Sequence, residues 1–173
     1  MVLEKCSRAA WVFAFNSKGE LYLAKKSGSP GYSIYYRDKL ISAIADPDKI
    51  SINIGQKYTE KGLTKDVDID AGGGVTKSKT TTYTDSKTGA VIKVEKSADV
   101  TISGNSNTGL KDDHGAPLKD DPADILYHEL VGHAIPHTGK PDTGNAVDNE
   151  NKVRIQLKPG TNQKRAPEPS HVE

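Results

Sequence analysis

Hydrophobic and polar positions alternate in short runs over the first hundred residues, which predicts a region rich in β-strands. The first two runs are separated by Asn16-Ser17-Lys18-Gly19, and a turn of this kind between two apolar-rich runs is typical of a β-hairpin. A second hairpin is predicted around Asp85–Gly89, and we expect the strands to pair antiparallel throughout. The strand-like runs are residues 10–15, 20–24, 49–54, 80–84, 90–94 and 98–102.

A helical period replaces the alternation in three places. Asp121 and Pro122 open the most apolar of these stretches, because Asp caps free backbone N–H groups and Pro suits the first helical turn. We expect that helix to end near Pro136. In the last stretch Ala146, Val147, Val153 and Glu150 are predicted to face inward. The three predicted helices are residues 37–45, 121–134 and 145–155.

The segments between these elements are polar and rich in Gly, Asp and Pro. Gly72-Gly73-Gly74 predicts a flexible turn before a strand, since no Gly-Lys-Ser/Thr pattern follows to make a phosphate-binding loop. We therefore predict a single α+β domain over residues 1–173, with an antiparallel sheet and hairpins packed against helices. Its parts are a strand-rich region at 1–103, a loop at 104–120, a helical region at 121–158 and an irregular tail at 159–173.

Length, charge, cysteine content and hydropathy limit the classes of protein to which the chain can belong. A chain of 173 residues fits one domain. The net charge is +1, from 24 basic and 23 acidic residues, and no segment concentrates the Lys and Arg that a phosphate backbone requires, so nucleic acid is not the expected partner. Cys6 is the single cysteine and is interpreted as an inert apolar residue. No apolar run approaches the roughly 20 residues of a membrane span, and the N-terminus lacks the pattern of a signal peptide.

The most chemically distinctive segment runs from Ile125 to Ala134, where His128, Glu129 and His133 interrupt an apolar run. Burying these groups costs several kcal/mol unless they are compensated, and a bound metal ion is one of few ways to do so. The histidines are five residues apart, which is about 140° on a regular helix, whereas the usual H-E-x-x-H spacing gives about 40°. Both imidazoles can reach one ion only if the helix contains a π-type bulge, and Gly132 is the natural place for it. A competing register of Glu129, His133 and His137 would place a proline inside the helix.

The segment His128-Glu129-Leu130-Val131-Gly132-His133 resembles the H-E-x-x-G-H motif of the dipeptidyl-peptidase III family, in which one inserted residue is accommodated and both histidines bind zinc. Asn145-Ala146 and Glu150-Asn151-Lys152-Val153-Arg154 extend the resemblance to bacterial effector and toxin zinc metallopeptidase domains. The resemblance implies a zincin-like fold with a Zn²⁺ ion bound by His128 and His133. It implies peptide-bond hydrolysis with Glu129 as general base, in a domain that a larger secreted protein delivers to a target cell and that an immunity protein neutralises.

The third metal ligand is expected to be Glu150, because a carboxylate on a neighbouring helix completes a His-His-Glu zinc site. Asp148, His137 and Asp142 remain alternatives. Arg154, one helical turn after Glu150, either orients its carboxylate or forms a simple surface i,i+4 pair with it. Tyr127 or His137 is a candidate donor to the oxyanion that forms during hydrolysis. The alternatives to a peptidase are a peptidoglycan amide hydrolase, a binding domain with a structural metal site and, less favoured, a metal-dependent nuclease.

Overall fold

In the computed structural model the described residues are 11–17, 21–26, 33–139, 144–157, 163–169 and 171. Cys6, Asp142 and the turn residues Lys18 and Gly19 of the first predicted hairpin lie outside them. The described strands are β1 (Trp11–Phe15), β2 (Leu21–Lys26), β3 (Lys49–Ile54), β4 (Lys57–Glu60), β5 (Leu63–Asp66), β6 (Gly74–Thr84), β7 (Val91–Ile102), β8 (Asn107–Lys111) and β9 (Pro117–Asp120). The α-helices are α1 (Ile34–Ala45), α2 (Val67–Ala71), α3 (Pro122–Tyr127), α4 (Ile135–Thr138) and α5 (Ala146–Leu157), with a π-helical segment, His128–Ala134, between α3 and α4.

The predicted α+β class is confirmed, and the two predicted hairpins form as β1–β2 and β6–β7. The central sheet has the order β3-β7-β6. Antiparallel pairing throughout was the wrong expectation, because β3 pairs with β7 in parallel and Ile52 lies opposite Val100. Alternation in a strand specifies which face is buried but not the direction of the neighbouring strand. The hydrophobic pattern of β3 and β7 therefore could not indicate that they pair in parallel.

Two other segments differ from expectation. Residues 98–102 are not a separate strand but the buried end of β7, which is 12 residues long. The predicted loop at 104–120 contains the β8–β9 hairpin. Only Leu118 and Asp120 of β9 are buried, so the segment has the polar composition of a loop and its strands were not predicted. Helix α1 begins earlier than predicted, at Ile34, since the Ser33 side chain accepts a bond from Tyr36 N and caps it.

Helix α3 starts as the sequence predicted, with Asp121 as the N-cap in a capping box with Asp124 and with Pro122 in the first turn. The helix ends at Thr138, two residues after Pro136, near which its end was predicted. Pro136 lies in the first turn of α4, where a proline is tolerated, directly after the π-helical segment. The Thr138 hydroxyl donates to Ala134 O at 3.1 Å and so satisfies a carbonyl of the last turn.

The core lies between the central sheet on one side and α1 and α5 on the other, with the segment from α3 to α4 running through it. Apolar residues of β7 contact this segment, and the inward positions predicted for α5 are confirmed, since Ala146, Val147, Glu150 and Val153 are all fully buried. Within the described part of the chain, no helix has the length and apolar character needed to cross a bilayer. The buried side chains of the core are Tyr36, Leu40, Ala98, Val100, Ile102, Ala123, Ile125, Leu126, Tyr127, Leu130, Val131, Ala134, Ile135 and Val153.

Candidate metal centre

The π-helical segment brings His128 and His133 to the same face of the helix, as predicted from their spacing of five residues. Their imidazole centroids are 5.1 Å apart and the rings are nearly perpendicular, at 80°. The wider π turn lets residues five apart in sequence lie beside each other. Gly132 faces α5, where a Cβ would come within 2.8 Å of the Ala146 side chain. The predicted helix distortion is therefore confirmed, and the inserted glycine is also the point where two helices approach closely.

A third imidazole, from His171 in the C-terminal segment, completes the group. Its ring centroid is 5.1 Å from that of His128 and 5.1 Å from that of His133, so the three rings form an equilateral triangle. One ligand atom from each residue lies within 4.8 Å of the other two, an arrangement that can hold a metal ion. His133 Nε2 and His171 Nε2 are 3.1 Å apart. Two nitrogens at 2.0–2.1 Å from one tetrahedral metal ion are about 3.3 Å apart, so these two atoms are close enough to share an ion.

Two carboxylates fix the tautomers of His128 and His171. His128 Nδ1 donates to Glu150 Oε2 at 2.8 Å, and His171 Nδ1 donates to Glu168 Oε2 at 2.9 Å. In each neutral ring the proton therefore sits on Nδ1, and Nε2 keeps its lone pair for a metal ion. Carboxylate partners of this kind hold ligand rings in orientation in many metal sites.

Burial and nearby positive charges favour the neutral forms of His133 and His171. Burial, together with the charges of His128 and His171, lowers the pKa of His133 to about 3. Burial also lowers the pKa of His171. Burial opposes the charged form of His128 too, but the bond to Glu150 outweighs it and raises the pKa of His128. Neutral imidazoles are the form that binds a metal ion, so His133 and His171 are prepared for that role.

Glu150, the expected third ligand, lies behind His128 instead of among the three imidazoles. It is fully buried, and its carboxylate accepts bonds from His128 Nδ1, from Arg154 Nε and from Arg165 Nη1. Burial alone would raise the pKa of Glu150, but the His128 bond and the two arginines hold it at about 2. Helix α5 packs alongside the π-helical segment, so Glu150 meets the outer edge of the ring and His171 occupies the place expected for it.

Four other residues predicted for the site lie outside the group of three imidazoles. Arg154 pairs with Glu150, as expected from their spacing, and its Nη2 also donates to Asp120. Tyr127 is fully buried, with its ring 6.1 Å from that of Tyr36, and it packs in the core. His137 Nε2 donates to Lys79 O at 3.2 Å, away from the three imidazoles. Asp148 is exposed on α5.

Glu129 projects from the π-helical segment toward the start of β6. Its Oε2 accepts a bond from the Thr76 hydroxyl at 2.7 Å, and burial raises the pKa of its carboxyl group. A Cβ on Gly74 would lie 2.8 Å from Glu129 Oε1 and 2.7 Å from Ile125 Cγ2, so the glycine makes room for both side chains. The triple glycine is therefore a turn, as predicted, but its last member also has a packing function.

Glu129 shares one pocket with the three histidines. The pocket has a volume of about 430 Å³ and lies between the helix, β6 and the C-terminal segment. Three residues that could hold a metal ion and a buried carboxylate thus lie beside one cavity. The lining residues are Ala71, Gly72, Gly74, Val75, Thr76, Asn107, Leu110, Asp120, Ile125, His128, Glu129, His133, Arg165 and His171.

Sequence reasoning missed His171, Glu168 and Arg165. His171 is 38 residues from His133, in a tail where no helical or strand period constrains a position, so no spacing rule indicated it. The one sequence signal for a site residue there was the amino-acid type, since His171 is the only histidine after residue 137.

Comparisons with protein-family models, with curated proteins and with solved structures gave no match for this chain.

Proposed function

We propose that this domain is a zinc-dependent hydrolase of peptide bonds. The observation that carries the proposal is the triangle of three imidazoles with Glu129 beside it in the same pocket. Within the described ranges the metal-binding group contains three residues, which leaves a fourth tetrahedral position for water or substrate. Structural zinc sites fill all four positions with protein ligands, so the arrangement favours catalysis over a purely structural role.

Glu129 is the proposed general base. A bound zinc ion would lower the pKa of water and polarise a carbonyl group. Glu129 takes a proton from the attacking water and passes it to the leaving amine, as a buried carboxylate with a raised pKa is suited to do. Thr76 holds the carboxylate in place through its 2.7 Å bond to Oε2.

The position of β6 supports a peptide as the substrate. β6 is at the end of the central sheet, and its first residues, Gly74 to Thr76, line the pocket. In the described part of the chain its only strand partner is β7, so the other edge has backbone groups that can pair with an extended peptide. The wider role, as the toxic domain of a larger secreted protein with an immunity partner, is proposed from the motif resemblance alone.

The test compares hydrolysis of an unfolded protein and of purified cell wall by the zinc-loaded domain. Glu129→Gln is expected to keep zinc and to lower the rate of proteolysis by about 10²–10⁴-fold, the contribution typical of a general base. Glu60→Gln, an exposed carboxylate on β4, serves as the matched control and is expected to keep full activity.

Unchanged activity in Glu129→Gln would contradict the assignment of the base. Cleavage of cell wall without cleavage of protein would replace the peptidase proposal with the peptidoglycan amide hydrolase.

A further inference from the structure

We infer that Arg165 is a positioning residue that connects the carboxylates orienting His128 and His171 and thereby sets the affinity of the centre for zinc. The inference rests on the proposed metal centre and concerns a residue outside the helical motif. Through these carboxylates, Arg165 would link His128 to His171, two proposed ligands that are 43 positions apart in the chain.

One guanidinium group bonds to both carboxylates. Arg165 Nη1 lies 3.3 Å from Glu150 Oε2, the same oxygen that accepts from His128. Its Nη2 lies 2.7 Å from Glu168 Oε1, and Nε lies 3.3 Å from the same oxygen. Since Glu168 Oε2 accepts from His171, the path from His128 to His171 passes through Glu150, Arg165 and Glu168.

The backbone of Arg165 is fixed on two sides. Asn151 on α5 accepts from Arg165 N at 2.7 Å and donates to Arg165 O at 3.0 Å. On the other side Arg165 forms a β-bridge with Asp112, next to β8. The residue itself is only 9% exposed. A guanidinium anchored in this way has little freedom to move, so it holds both carboxylates at defined positions.

The geometry requires arginine in particular. The planar fork of a guanidinium can serve two carboxylates with separate N–H groups, whereas a lysine ammonium is a compact point charge on a flexible stem. A role limited to balancing buried negative charge would be satisfied by lysine. A positioning role would not, so Arg165→Lys separates the two.

The experiment measures the zinc dissociation constant by competition with a chromophoric chelator, on the full chain of each variant. Arg165→Gln, Arg165→Lys and Glu168→Gln are each expected to weaken zinc binding about 10–100-fold, as loss of an outer-shell partner typically does. The double variant Arg165→Gln/Glu168→Gln is expected to lose less than the product of the two single losses, because both act through one connection.

The absorption spectrum of the Co²⁺-substituted Arg165→Lys variant is expected to change from that of the unaltered protein, because ligand geometry is altered. Arg37→Gln makes the same chemical change at a surface ion pair with Asp38 and should leave zinc affinity unchanged.

Wild-type zinc affinity together with an unchanged cobalt spectrum in Arg165→Lys would overturn the inference, and this variant decides the matter if Arg165→Gln fails to fold. Strict additivity in the double variant would also overturn it. Absence of zinc binding by the unaltered protein would be a different result, because it would remove the metal centre itself.

Discussion

The environment of His133 differs strongly from that of a free histidine side chain. Burial and two neighbouring imidazoles hold its pKa at about 3 in the folded protein, against a usual value of 6.5. In the unfolded chain the ring takes up a proton near pH 6.5, whereas in the folded protein it stays neutral. The proton is thus bound more readily by the unfolded state, and acid disfavours folding.

The contribution of His133 to the stability of the metal-free protein should therefore fall as the pH is lowered from 6.5 toward 3. The stability that His133 contributes is fully present above pH 6.5 and falls steadily below it, and His171 acts in the same direction because burial lowers its pKa too. His133→Gln is expected to show a smaller loss between pH 6.5 and 4.5, a range above the titration of Glu150, whose pKa is about 2. Urea unfolding midpoints, measured with chelator present, provide the comparison.

His114→Gln, in an exposed turn between β8 and β9, is the control and should follow the unaltered protein across this pH range. A His133→Gln variant with the same pH dependence as the unaltered protein would show that the buried ring does not carry the effect.

Individual residues were predictable where a local pattern constrained them. His128, Glu129 and His133 stood out because titratable groups in an apolar run demand an explanation. Glu150 was correctly expected to be buried, but its position behind His128 depends on how α5 packs, which periodicity does not specify. His171 was not predictable because its position results from the path of an irregular segment.

The π-helical segment is the element that makes the site possible. It has one residue more than a regular turn, and Gly132 accommodates the start of α5 at that point, with Ala146 Cα 3.3 Å from where a Cβ would lie. The helix distortion and the helix packing thus depend on the same residue. A side chain at this position would have to displace α5 or the π turn.

Gly132→Ala is expected to destabilise the protein by about 1–3 kcal/mol, the usual cost of overpacking a close contact. It should also weaken zinc binding, because any shift of the π turn changes the separation of His128 and His133. Denaturant unfolding and a zinc titration would measure the two effects. Gly55→Ala is the control, since a Cβ there has its nearest neighbour at 3.9 Å and its backbone is unstrained.

Equal stability of the Gly132→Ala and Gly55→Ala variants would contradict the close packing of the π turn on α5.

At the level of elements, the sequence predicted those whose pattern is local. The hairpins, α5 and the distortion between Glu129 and His133 followed from periodicity, turn residues and spacing. The parallel pairing of β3 with β7 did not, because it depends on a crossover of many residues. The β8–β9 hairpin was missed since a mostly exposed hairpin lacks the apolar alternation of a buried one.

Across the whole molecule, the end of the chain completes a site that begins in the central helix. Ala166 N bonds to Lys111 O at the end of β8, and Asn145 Nδ2, directly before α5, donates to Glu168 O. Ala146 N also bonds to His171 O at 3.1 Å. The three imidazoles come together only when these distant parts have folded against one another, so metal binding and folding should reinforce each other.

Zinc titration of the metal-free protein, followed by isothermal calorimetry alongside His171→Ala, tests this three-histidine centre most directly. The unaltered chain is expected to bind zinc stoichiometrically. His171→Ala should remain folded but bind at least 100-fold more weakly, because one of three ligands is lost, while His114→Ala should bind as the unaltered protein does. Failure of the unaltered protein to bind zinc, or equal affinity in His171→Ala, would contradict the centre described above.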